Sequence, residues 1–458
     1  MLNCTRRNVL AAMAGAAVAP RRVFAANDPW ALHAAILKRI GAPKFPSKDF
    51  PVTRYGAKSG GKIDCTEAFR SAIEAASRAG GGRVIVPAGV WLSGAIHLKS
   101  GVNLVVEKDA TIRFLTEPKH YPIVLTRFEG MECMNYSPLV YAFDQTNIAI
   151  TGEGTLDGQA SAENWWAWKG SRGPARGPNQ MAARARLGEM VERGVPVAER
   201  IFGDGGNLRP MFVQPYRCTN VLIEGVTLTN SPMYEMHPVL CTNVTVRNVK
   251  VSSHGPNNDG CDPESSRDVL IEGCTFDTGD DCIAIKSGRN ADGRRLHAPS
   301  ENIVVQNCTM KDGHGGVTMG SECSGDIRNV FAQDCRMDSP HLDRVLRFKN
   351  NAMRGGVIEH VYLRNVQAGQ VAGPAIEVDF HYEEGEKGPF TPVVRDVEVV
   401  NLTCKKSQTA WTLRGFEKAP VRDVRIRSCT FESTAKPNVA ENVDGLVVEG
   451  VTINGQKA

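Results

Sequence analysis

Four polar clusters in this chain combine residue types that can perform acid–base chemistry. In one established mechanism, one carboxylic acid protonates a leaving glycosidic oxygen while a carboxylate roughly 6.5 to 9.5 Å away activates water, with inversion. Neighbouring carboxylates repel, which raises the pKa of at least one of them and separates the two roles. The clusters are Asn257-Asn258-Asp259-Gly260-Cys261-Asp262, Gly279-Asp280-Asp281, Gly313-His314-Gly315 and Arg347-Phe348-Lys349.

A repeated phrase indicates how the fold brings these clusters together. It consists of an Asn or Asp, alternating β-branched residues, a polar pair and then Val or Cys, and successive centres lie 22 to 36 residues apart. The shorter intervals match one coil of a parallel β-helix, whereas a leucine-rich repeat of similar period would need a leucine ladder. We therefore predict an all-β, right-handed, single-stranded parallel β-helix. Copies of the phrase begin at Asn220, Asn243, Asp268, Asn302 and Asp423.

The spacing of the clusters predicts a column of polar groups on one face. Asp259 and Asp281 are 22 residues apart, about one coil, and should lie one above the other at roughly 4.8 Å. His237 precedes Asp259 by the same interval, and aligning the glycines places His314 one coil after Asp280. Such a column of like charges costs stability, which favours a functional role.

Two features of this column leave alternatives open. Strict strand alternation would direct Asp280 and Asp281 to opposite faces, so a bulge or turn at Gly279 must reorient one of them. Acidic pairs in loops are also common as turn residues or calcium ligands. Asp262 could neighbour the catalytic site or be a satisfied turn carboxylate, and His237 could contact substrate or pack at a corner.

The four motifs, in this order, resemble those of glycoside hydrolase family 28, the polygalacturonases, and the resemblance covers most of the chain from about residue 50. The family motifs are Asn-Thr-Asp, Gly-Asp-Asp, Gly-His-Gly and Arg-Ile-Lys. The resemblance implies that Asp280 is the general acid and that Asp259 and Asp281 hold and deprotonate the water. It further implies that His314 tunes or relays protons.

The same resemblance implies substrate contacts. Arg347 and Lys349 would bind a galacturonate carboxylate through charge-assisted hydrogen bonds. Tyr382 falls where the family carries a substrate-contacting tyrosine. Asn258 and Phe348 depart from the family's threonine and isoleucine, but neither change removes a reacting group. The full set of expected substrate contacts is Arg347, Lys349, Tyr382, His237, Asn258 and Asp262.

The implied reaction is inverting hydrolysis of α-1,4-galacturonosidic bonds in pectin or polygalacturonate, without metal or cofactor. We expect exo action, because the inserted segment from about 158 to 209 and the run Asn290–Arg295 look like those of bacterial exo-acting members. Rhamnogalacturonan and xylogalacturonan hydrolysis are alternatives on the same scaffold. A calcium-dependent pectate lyase and a non-catalytic carbohydrate-binding solenoid are further alternatives.

The N-terminus predicts export. Arg6 and Arg7 precede an apolar run through Ala19, the layout of a twin-arginine signal, which we place at residues 1–26. A lead-in segment (27–49) and the β-helix domain (50–458) follow. We expect a periplasmic or secreted monomer.

Charge and composition limit the partners. The net charge of +4 is mild and suits an anionic polymer such as a pectic polysaccharide or oligogalacturonide. Basic stripes typical of nucleic-acid binders are absent, and no apolar stretch reaches the length of about 18 residues that a membrane span needs.

Other segments have structural interpretations. An amphipathic helix from Cys65 to Ala76, ended by three glycines, is expected to cap the open end of the solenoid. The arm at 158–209 should contain a helix near 182–193 and tryptophans that either anchor the arm or stack on sugar. Of the 13 cysteines, those in the repeated slot are expected as inward core residues, not disulfides: Cys274, Cys308, Cys335 and Cys429.

Overall fold

The computed structural model describes residues 28–170 and 177–458. The predicted export signal at 1–26 therefore lies outside the described residues. Among the helices of the described residues, none is long and apolar enough to cross a membrane. The α-helices are α1 Pro29–Arg39, α2 Thr66–Arg78, α3 Met181–Glu192 and α4 Asn290–Leu296.

Short strands, most of them paired in parallel, are the main secondary structure of the chain. Before the arm they are β1 Asp49–Pro51, β2 Gly82–Val86, β3 Gly89–Ser93, β4 Ile96–His97, β5 Val102–Val106, β6 Ala110–Phe114, β7 Ile123–Phe128, β8 Met131–Tyr136, β9 Val140–Phe143, β10 Thr146–Gly152 and β11 Thr155–Asp157. After the arm come β12 Val213–Tyr216, β13 Thr219–Glu224, β14 Thr227–Thr229, β15 Thr242–Arg247, β16 Lys250–Ser253, β17 Arg267–Glu272, β18 Thr275–Thr278 and β19 Ile283–Ile285.

The strands continue through the C-terminal part in the same manner. They are β20 Ser300–Gln306, β21 Thr309–Met310, β22 Val317–Met319, β23 Ile327–Gln333, β24 Arg336–Met337, β25 Leu346–Lys349, β26 Val357–Gln370, β27 Ile376–Asp379, β28 Val393–Lys406, β29 Trp411–Arg414, β30 Val421–Arg427, β31 Thr430–Phe431, β32 Val439–Glu441, β33 Val443–Asp444, β34 Val447–Glu449, β35 Thr452–Ile453 and β36 Gln456–Lys457.

The predicted repeat forms the main sheet, in which 25 strands pair. Val221 of β13 pairs with Val244 of β15, which pairs with Val269 of β17, so successive copies of the phrase lie in register. One apolar core runs inside the coils from Val52 to Val451. The predicted parallel β-helix is confirmed.

The Asn or Asp that opens each phrase marks a corner of the coil. Asn220, Asn243 and Asn302 all have φ near +59° or +58°, a left-handed conformation that Asn tolerates better than most residues. The side-chain amide of Asn243 donates to Asn220 Oδ1 at 2.7 Å, and that of Asn220 donates to Asn147 Oδ1 at 2.8 Å. Stacked coils thus join their corners by an amide ladder, which we call the asparagine column.

A second sheet carries the strands that matter for chemistry. Strands β19, β22, β25, β27, β29 and β32 pair in parallel, in that order. Isolated bridges extend the same wall backwards, since Ile283 pairs with Cys261, Cys261 with Met236, and Met236 with Val213. Each site motif precedes or lies within a strand of this wall.

Helix α2 confirms the predicted cap. Its buried face consists of Ala68, Phe69, Ala72, Ile73 and Ala76, and it packs beside β1, β2 and β4 at the N-terminal end of the coils. The backbone amide of Thr66 donates to Asp64 Oδ1 at 2.9 Å, which satisfies one of the free donors at the start of the helix.

Two additions cover outward faces of the solenoid. Helix α1 places Ile36 and Trp30 against an outer apolar stripe that includes Val304, Phe331 and Tyr362. The antiparallel hairpin β7–β8 and the arm share a separate small core. Helix α3 occupies almost the predicted positions, and Leu187 on its inner face is fully buried.

All twelve cysteines of the described residues are free thiols and buried. Cys308 lies in the core between the coils that carry Cys274 and Cys335, and its Sγ donates to Gln306 O at 3.3 Å. The repeated slot is therefore filled by small inward side chains, as the sequence predicted.

Candidate active site

The site lies at the corner that leads from the main sheet into the second sheet. Asp259 and Asp281 each stand two residues before paired positions, Cys261 and Ile283, so the 22-residue interval is indeed one coil. Asp280 and Asp281 occupy the turn between β18 and β19, which frees both from strand alternation. Of the two expected alternatives, a bulge or a turn at Gly279, the structure has the turn.

Close packing explains the glycine of the Gly-Asp-Asp motif. A Cβ on Gly279 would lie 2.5 Å from the carbonyl oxygen of Gly255 on the preceding coil. Gly315 has a similar constraint, because a Cβ there would lie 2.9 Å from Asp281 Oδ1. Both glycines therefore allow the coils to approach each other where the carboxylates meet.

Three carboxylates converge at this corner. One oxygen each of Asp259, Asp280 and Asp281 lies within 4.8 Å of the other two. This approach is shorter than the 6.5 to 9.5 Å separation expected above for an inverting pair. The structure therefore brings the predicted acids together more tightly than the sequence argument assumed.

Asp281 is the permanently ionised member. Its side chain is fully buried, with Oδ2 at 2.6 Å from Lys349 Nζ and Oδ1 at 3.4 Å from Arg347. Burial alone would raise the pKa of Asp281, but Lys349 and Arg347 hold it far below its usual range. Thr318 also donates to Oδ1 at 3.0 Å. These contacts suit a carboxylate that holds and activates a water molecule.

Asp280 shares a hydrogen bond with His314. The distance from His314 Nδ1 to Asp280 Oδ1 is 3.0 Å, and the backbone amide of His314 donates to the carbonyl of Asp280 at 3.1 Å. Burial would raise the pKa of Asp280, but His314 and Lys349 together lower it. The hydrogen bond to Asp280 raises the pKa of His314. The aligned position of the histidine is confirmed.

Asp259 is the carboxyl group of the three whose protonated form is most favoured. Burial and the negative charge of Asp280 raise the pKa of Asp259 to about 7, and Lys286, 3.4 Å from its Oδ2, opposes the shift only in part. Burial and Asp259 likewise raise the pKa of Asp262. The resemblance named Asp280 as the proton donor, whereas these pKa shifts favour the protonated forms of Asp259 and His314.

Asp259 and Asp280 line a polar cavity of about 170 Å³ beneath the arm, whereas Asp281 and His314 are not among its lining residues. The walls come from the tip of the β7–β8 hairpin, the arm, the corner turns, the segments flanking β19 and β22, the end of β25 and the turn after β27. The lining residues are Glu129, Lys169, Arg184, Tyr234, Asn257, Asp259, Asp280, Lys286, Arg289, Ser321, Glu322, Lys349, Tyr382 and Glu383.

Arg347 and Lys349, the residues expected to bind a substrate carboxylate, lie together on β25, and Lys349 lines the cavity whereas Arg347 does not. Arg347 and Lys349 of β25 lie 5.7 and 5.6 Å from the ring centroid of Tyr382. Both cations also form ion pairs with Asp281, so they neutralise a carboxylate of the enzyme itself. Phe348 points into the core and is fully buried, as its alternating position in the strand requires.

His237 does not lie in the column of polar groups. This finding corrects its expected role as a substrate contact. Met236 pairs with Cys261, so the interval at this coil is 25 residues and Tyr234, not His237, stands beside Asp259. His237 is instead fully buried beneath the hairpin, with its ring nitrogens 2.9 Å from Gln214 and 2.7 Å from Glu264. The 22-residue interval between Asp259 and Asp281 does not hold for the preceding coil, which is why it predicted the wrong residue.

Asn258 and Asp262 are likewise fully buried and do not line the cavity. The amide of Asn258 donates to the carbonyls of Ser231 and Met233, at 3.0 and 2.9 Å, and thus fixes the turn that carries Asp259. Asp262 lies beneath Asp259, 3.6 Å from Lys286 Nζ. Both residues support the site from behind, which corrects their expected role in substrate contact.

Several cavity residues were missed from the sequence. Asn257, in the first motif, lies beside Asp280, with 3.5 Å between its amide nitrogen and Oδ2. Its place in the motif was a usable signal. Lys169, Arg184 and Glu129 belong to the arm and the hairpin, where no repeat or motif could have located them. Lys286 lies directly after β19, five residues after Asp281. The sequence around it has the pattern of an ordinary strand, which gave no signal for a cavity residue.

Comparison with known proteins identifies the family. The model of the glycosyl hydrolases family 28 matches residues 200–455. The structure of an exopolygalacturonase from Thermotoga maritima is 46% identical, covers 94% of this chain and 97% of its own, and superposes with a TM-score of 0.91.

Two curated bacterial relatives are more distant. An endo-polygalacturonase of Pectobacterium carotovorum subsp. carotovorum is 28% identical over 75% of this chain and 79% of its own length. An exo-poly-alpha-D-galacturonosidase of Dickeya chrysanthemi is 27% identical over 77% of this chain and 61% of its own. With its β-helix, its ordered motifs and its converging carboxylates, the chain belongs to glycosyl hydrolases family 28 and is a glycoside hydrolase.

Proposed function

We propose that this enzyme hydrolyses α-1,4-galacturonosidic bonds of pectin or polygalacturonate, releasing short products from a chain end. The observation that carries the proposal is the meeting of three carboxylates, within 4.8 Å, beside a cavity that Asp259, Asp280, Lys349 and Lys169 line. The carboxylates supply acid and base, and the cations attract an anionic sugar. The printed names of the relatives, both exo- and endo-acting polygalacturonases, support the substrate class.

In this mechanism Asp280 protonates the leaving oxygen, and its proton comes through the hydrogen bond with His314. The raised pKa of His314 suits that supply, because the His314–Asp280 pair keeps one proton at mildly acidic pH. Asp281 is ionised throughout and holds the attacking water. Asp259 must lose its own proton before it can share that role, which favours activity that rises toward pH 7 on its acid side.

The way the arm covers the cavity supports exo action. Arg184 of α3 binds Glu129 at the hairpin tip, with 2.5 Å between Nε and Oε2, and Arg289 binds the same carboxylate at 3.3 Å. A long chain could not pass through these contacts without breaking them. Sizing early products from polygalacturonate tests this proposal: mono- or digalacturonate alone is expected, and a ladder of long oligomers would contradict it.

The stereochemical outcome needs its own measurement. We propose inversion on the strength of the family resemblance, although carboxylates this close match the roughly 5 to 5.5 Å of retaining enzymes better than the wider inverting gap. Recording the anomeric form of the first product by NMR decides between the two. An initial β-anomer from the α-linked substrate would support inversion, and an initial α-anomer would exclude it.

A calcium-dependent lyase is the second candidate, because the same three carboxylates offer oxygen ligands to a cation. Lys349 and Lys286 weigh against it, since their ammonium groups already contact Asp281 and Asp259. Hydrolysis predicts reducing ends without unsaturated products and activity that survives chelation. Parallel assays on rhamnogalacturonan and xylogalacturonan would show whether homogalacturonan is the preferred polymer.

We further propose that the protein is exported to the periplasm or secreted, on the basis of the twin-arginine layout at Arg6 and Arg7. N-terminal sequencing of the mature protein should begin near residue 27. A Lys-Lys replacement of the arginine pair should retain the precursor in the cytoplasm.

A further inference from the structure

Lys169 differs from the other cations that line the cavity. Each of those has a carboxylate close by: Lys349 has Asp281 at 2.6 Å, Lys286 has Glu322 at 3.1 Å and Arg184 has Glu129 at 2.5 Å. Within residues 28–170 and 177–458, no carboxylate oxygen comes within 4 Å of Lys169 Nζ. Its one hydrogen bond there goes to Asn257 Oδ1, at 2.6 Å.

The arm holds Lys169 in place through tryptophans. Lys169 ends the short 3-10 helix Trp165–Lys169, in which Trp165 is 1% exposed and packs against Trp168 with 4.7 Å between ring centroids. Trp166 donates its indole N–H to the carbonyl of Ser231 at 2.8 Å. The tryptophans therefore anchor the arm, and they fix the backbone from which Lys169 extends.

Lys169 is also linked to the reacting carboxylate. Asn257 Oδ1 accepts hydrogen bonds from Lys169 and from Arg209, at 2.6 and 2.8 Å. The amide nitrogen of the same side chain lies 3.5 Å from Asp280 Oδ2. One asparagine thus separates the free ammonium group from the proposed proton donor, a separation that a single sugar unit could span.

A partly buried ammonium group without a counter-ion is costly unless a ligand supplies the charge. Burial lowers the pKa of Lys169, although the more distant Glu129 opposes that shift. Because Lys169 belongs to the arm that closes the cavity, an anion bound to it would belong to the end of a substrate chain. A uronate carboxylate is such an anion, whereas a neutral hexose would leave the charge unpaired.

We propose that Lys169 is a specificity-determining residue that binds the carboxylate of the terminal galacturonate unit. This inference rests on the proposed function and deepens it, since it assigns recognition of the terminal sugar unit to one residue of the arm. Lys349 and Arg347 hold Asp281, and Lys169 is the cation left free for the substrate.

The test compares two trigalacturonates, one with all carboxylates free and one methyl-esterified on the non-reducing terminal unit. For the unaltered enzyme, kcat/KM should fall about 10- to 100-fold on esterification, the loss of one charge-assisted hydrogen bond. Lys169→Met should lower kcat/KM on the free substrate by a similar factor and abolish the preference. Lys169→Arg should restore part of it.

Arg193→Met is the matched control, because it removes a positive charge from an exposed position on the same arm outside the cavity. It should leave both rates unchanged. If Lys169→Met lowers both rates equally, or neither, the terminal-carboxylate assignment is overturned.

Calorimetry separates this inference from the proposed function. Trigalacturonate should bind Asp280→Asn about 10- to 100-fold more tightly than it binds the double variant Asp280→Asn/Lys169→Met. If the unaltered enzyme binds in this Lys169-dependent way but releases no reducing ends, the proposed hydrolysis fails and the assignment stands. If hydrolysis occurs and binding ignores Lys169, the assignment alone fails.

Discussion

Two polar columns run along this solenoid, and they solve the same stacking problem differently. In the asparagine column a neutral amide can both donate and accept, so Asn243 donates to Asn220 at 2.7 Å and Asn220 donates to Asn147 at 2.8 Å without any counter-ion. In the carboxylate column the stacked groups repel, and Asp281 depends on Lys349 from a coil 68 residues further on. The first column stabilises the fold, whereas the second needs counter-ions and keeps raised and lowered pKa values side by side.

The largest expected effect lies in the carboxylate column. Asp280→Asn should reduce kcat by about 10²- to 10⁴-fold, the usual contribution of a general acid, with KM little changed. Because the lowered folded-state pKa of Asp280 contributes stability above its unfolded value, the variant should unfold at a slightly lower temperature at neutral pH. Steady-state kinetics and calorimetry measure both, with Asp277→Asn, outside the cavity, as the control. A variant that lost stability but kept its kcat would show that Asp280 is a structural residue like those of the asparagine column, and the proposed role as general acid would fail.

The next largest expected effect is on stability, when Lys349, the counter-ion of Asp281, is removed. Lys349→Met leaves Asp281 buried without its closest cation, which should destabilise the fold by about 3 to 5 kcal/mol. The lowered folded-state pKa of Asp281 contributes stability that is present above its unfolded value and lost as pH falls. The variant should therefore have lost this contribution at neutral pH and differ less from the unaltered enzyme in acid. Urea unfolding at several pH values measures it, with exposed Lys250→Met as the control.

Glu235 shows a third way to bury a carboxyl, by keeping it protonated. It is fully buried next to the Asp259 strand, and burial raises its pKa to about 8. Since the folded value exceeds the unfolded one, its stabilising contribution is complete below about pH 4.5 and is lost as pH rises toward 8. Glu235→Gln should therefore stabilise the protein increasingly over that range, by up to about 1.4 kcal/mol per pH unit.

Unfolding curves at pH 5 and pH 8 test this prediction for Glu235. A constant difference between variant and unaltered protein would contradict it. The exposed Glu107→Gln provides a control for loss of one carboxyl at the surface.

The smallest expected effect lies in the asparagine column. Asn243→Ala removes an amide from the ladder and places Ala at φ +58°, so the protein should lose about 1 to 3 kcal/mol of stability without a change in kcat. Asn243→Gly keeps the backbone conformation favourable and removes the side-chain hydrogen bonds to Asn220 and to the backbone of Gly41. Comparing the two by urea unfolding separates strain from hydrogen bonding. A fall in kcat in either variant would mean that the two columns are coupled.

The repeat made the fold predictable because similar residue types occupy equivalent positions in successive coils. An Asn or Asp at the left-handed corner, alternating β-branched residues and an inward Val or Cys recur along the coils, so register follows from counting. Counting failed at His237, where one coil has 25 residues instead of 22 and Tyr234 takes the place beside Asp259. Coil length is set by the loops, and nothing local fixes the size of a loop.

The sequence by itself determined the β-helix, its capping helix and the ordered motifs that place Asp259, Asp280, Asp281 and His314 on neighbouring coils, because these depend on periodic local preferences. Only the tertiary structure decided which charges pair and which stays free. Glu129, Lys169 and Arg184 meet over the cavity through a hairpin and an arm that follow no repeat. Long-range charge pairing depends on distances between segments far apart in the chain, and spacing along the sequence carries no record of those distances.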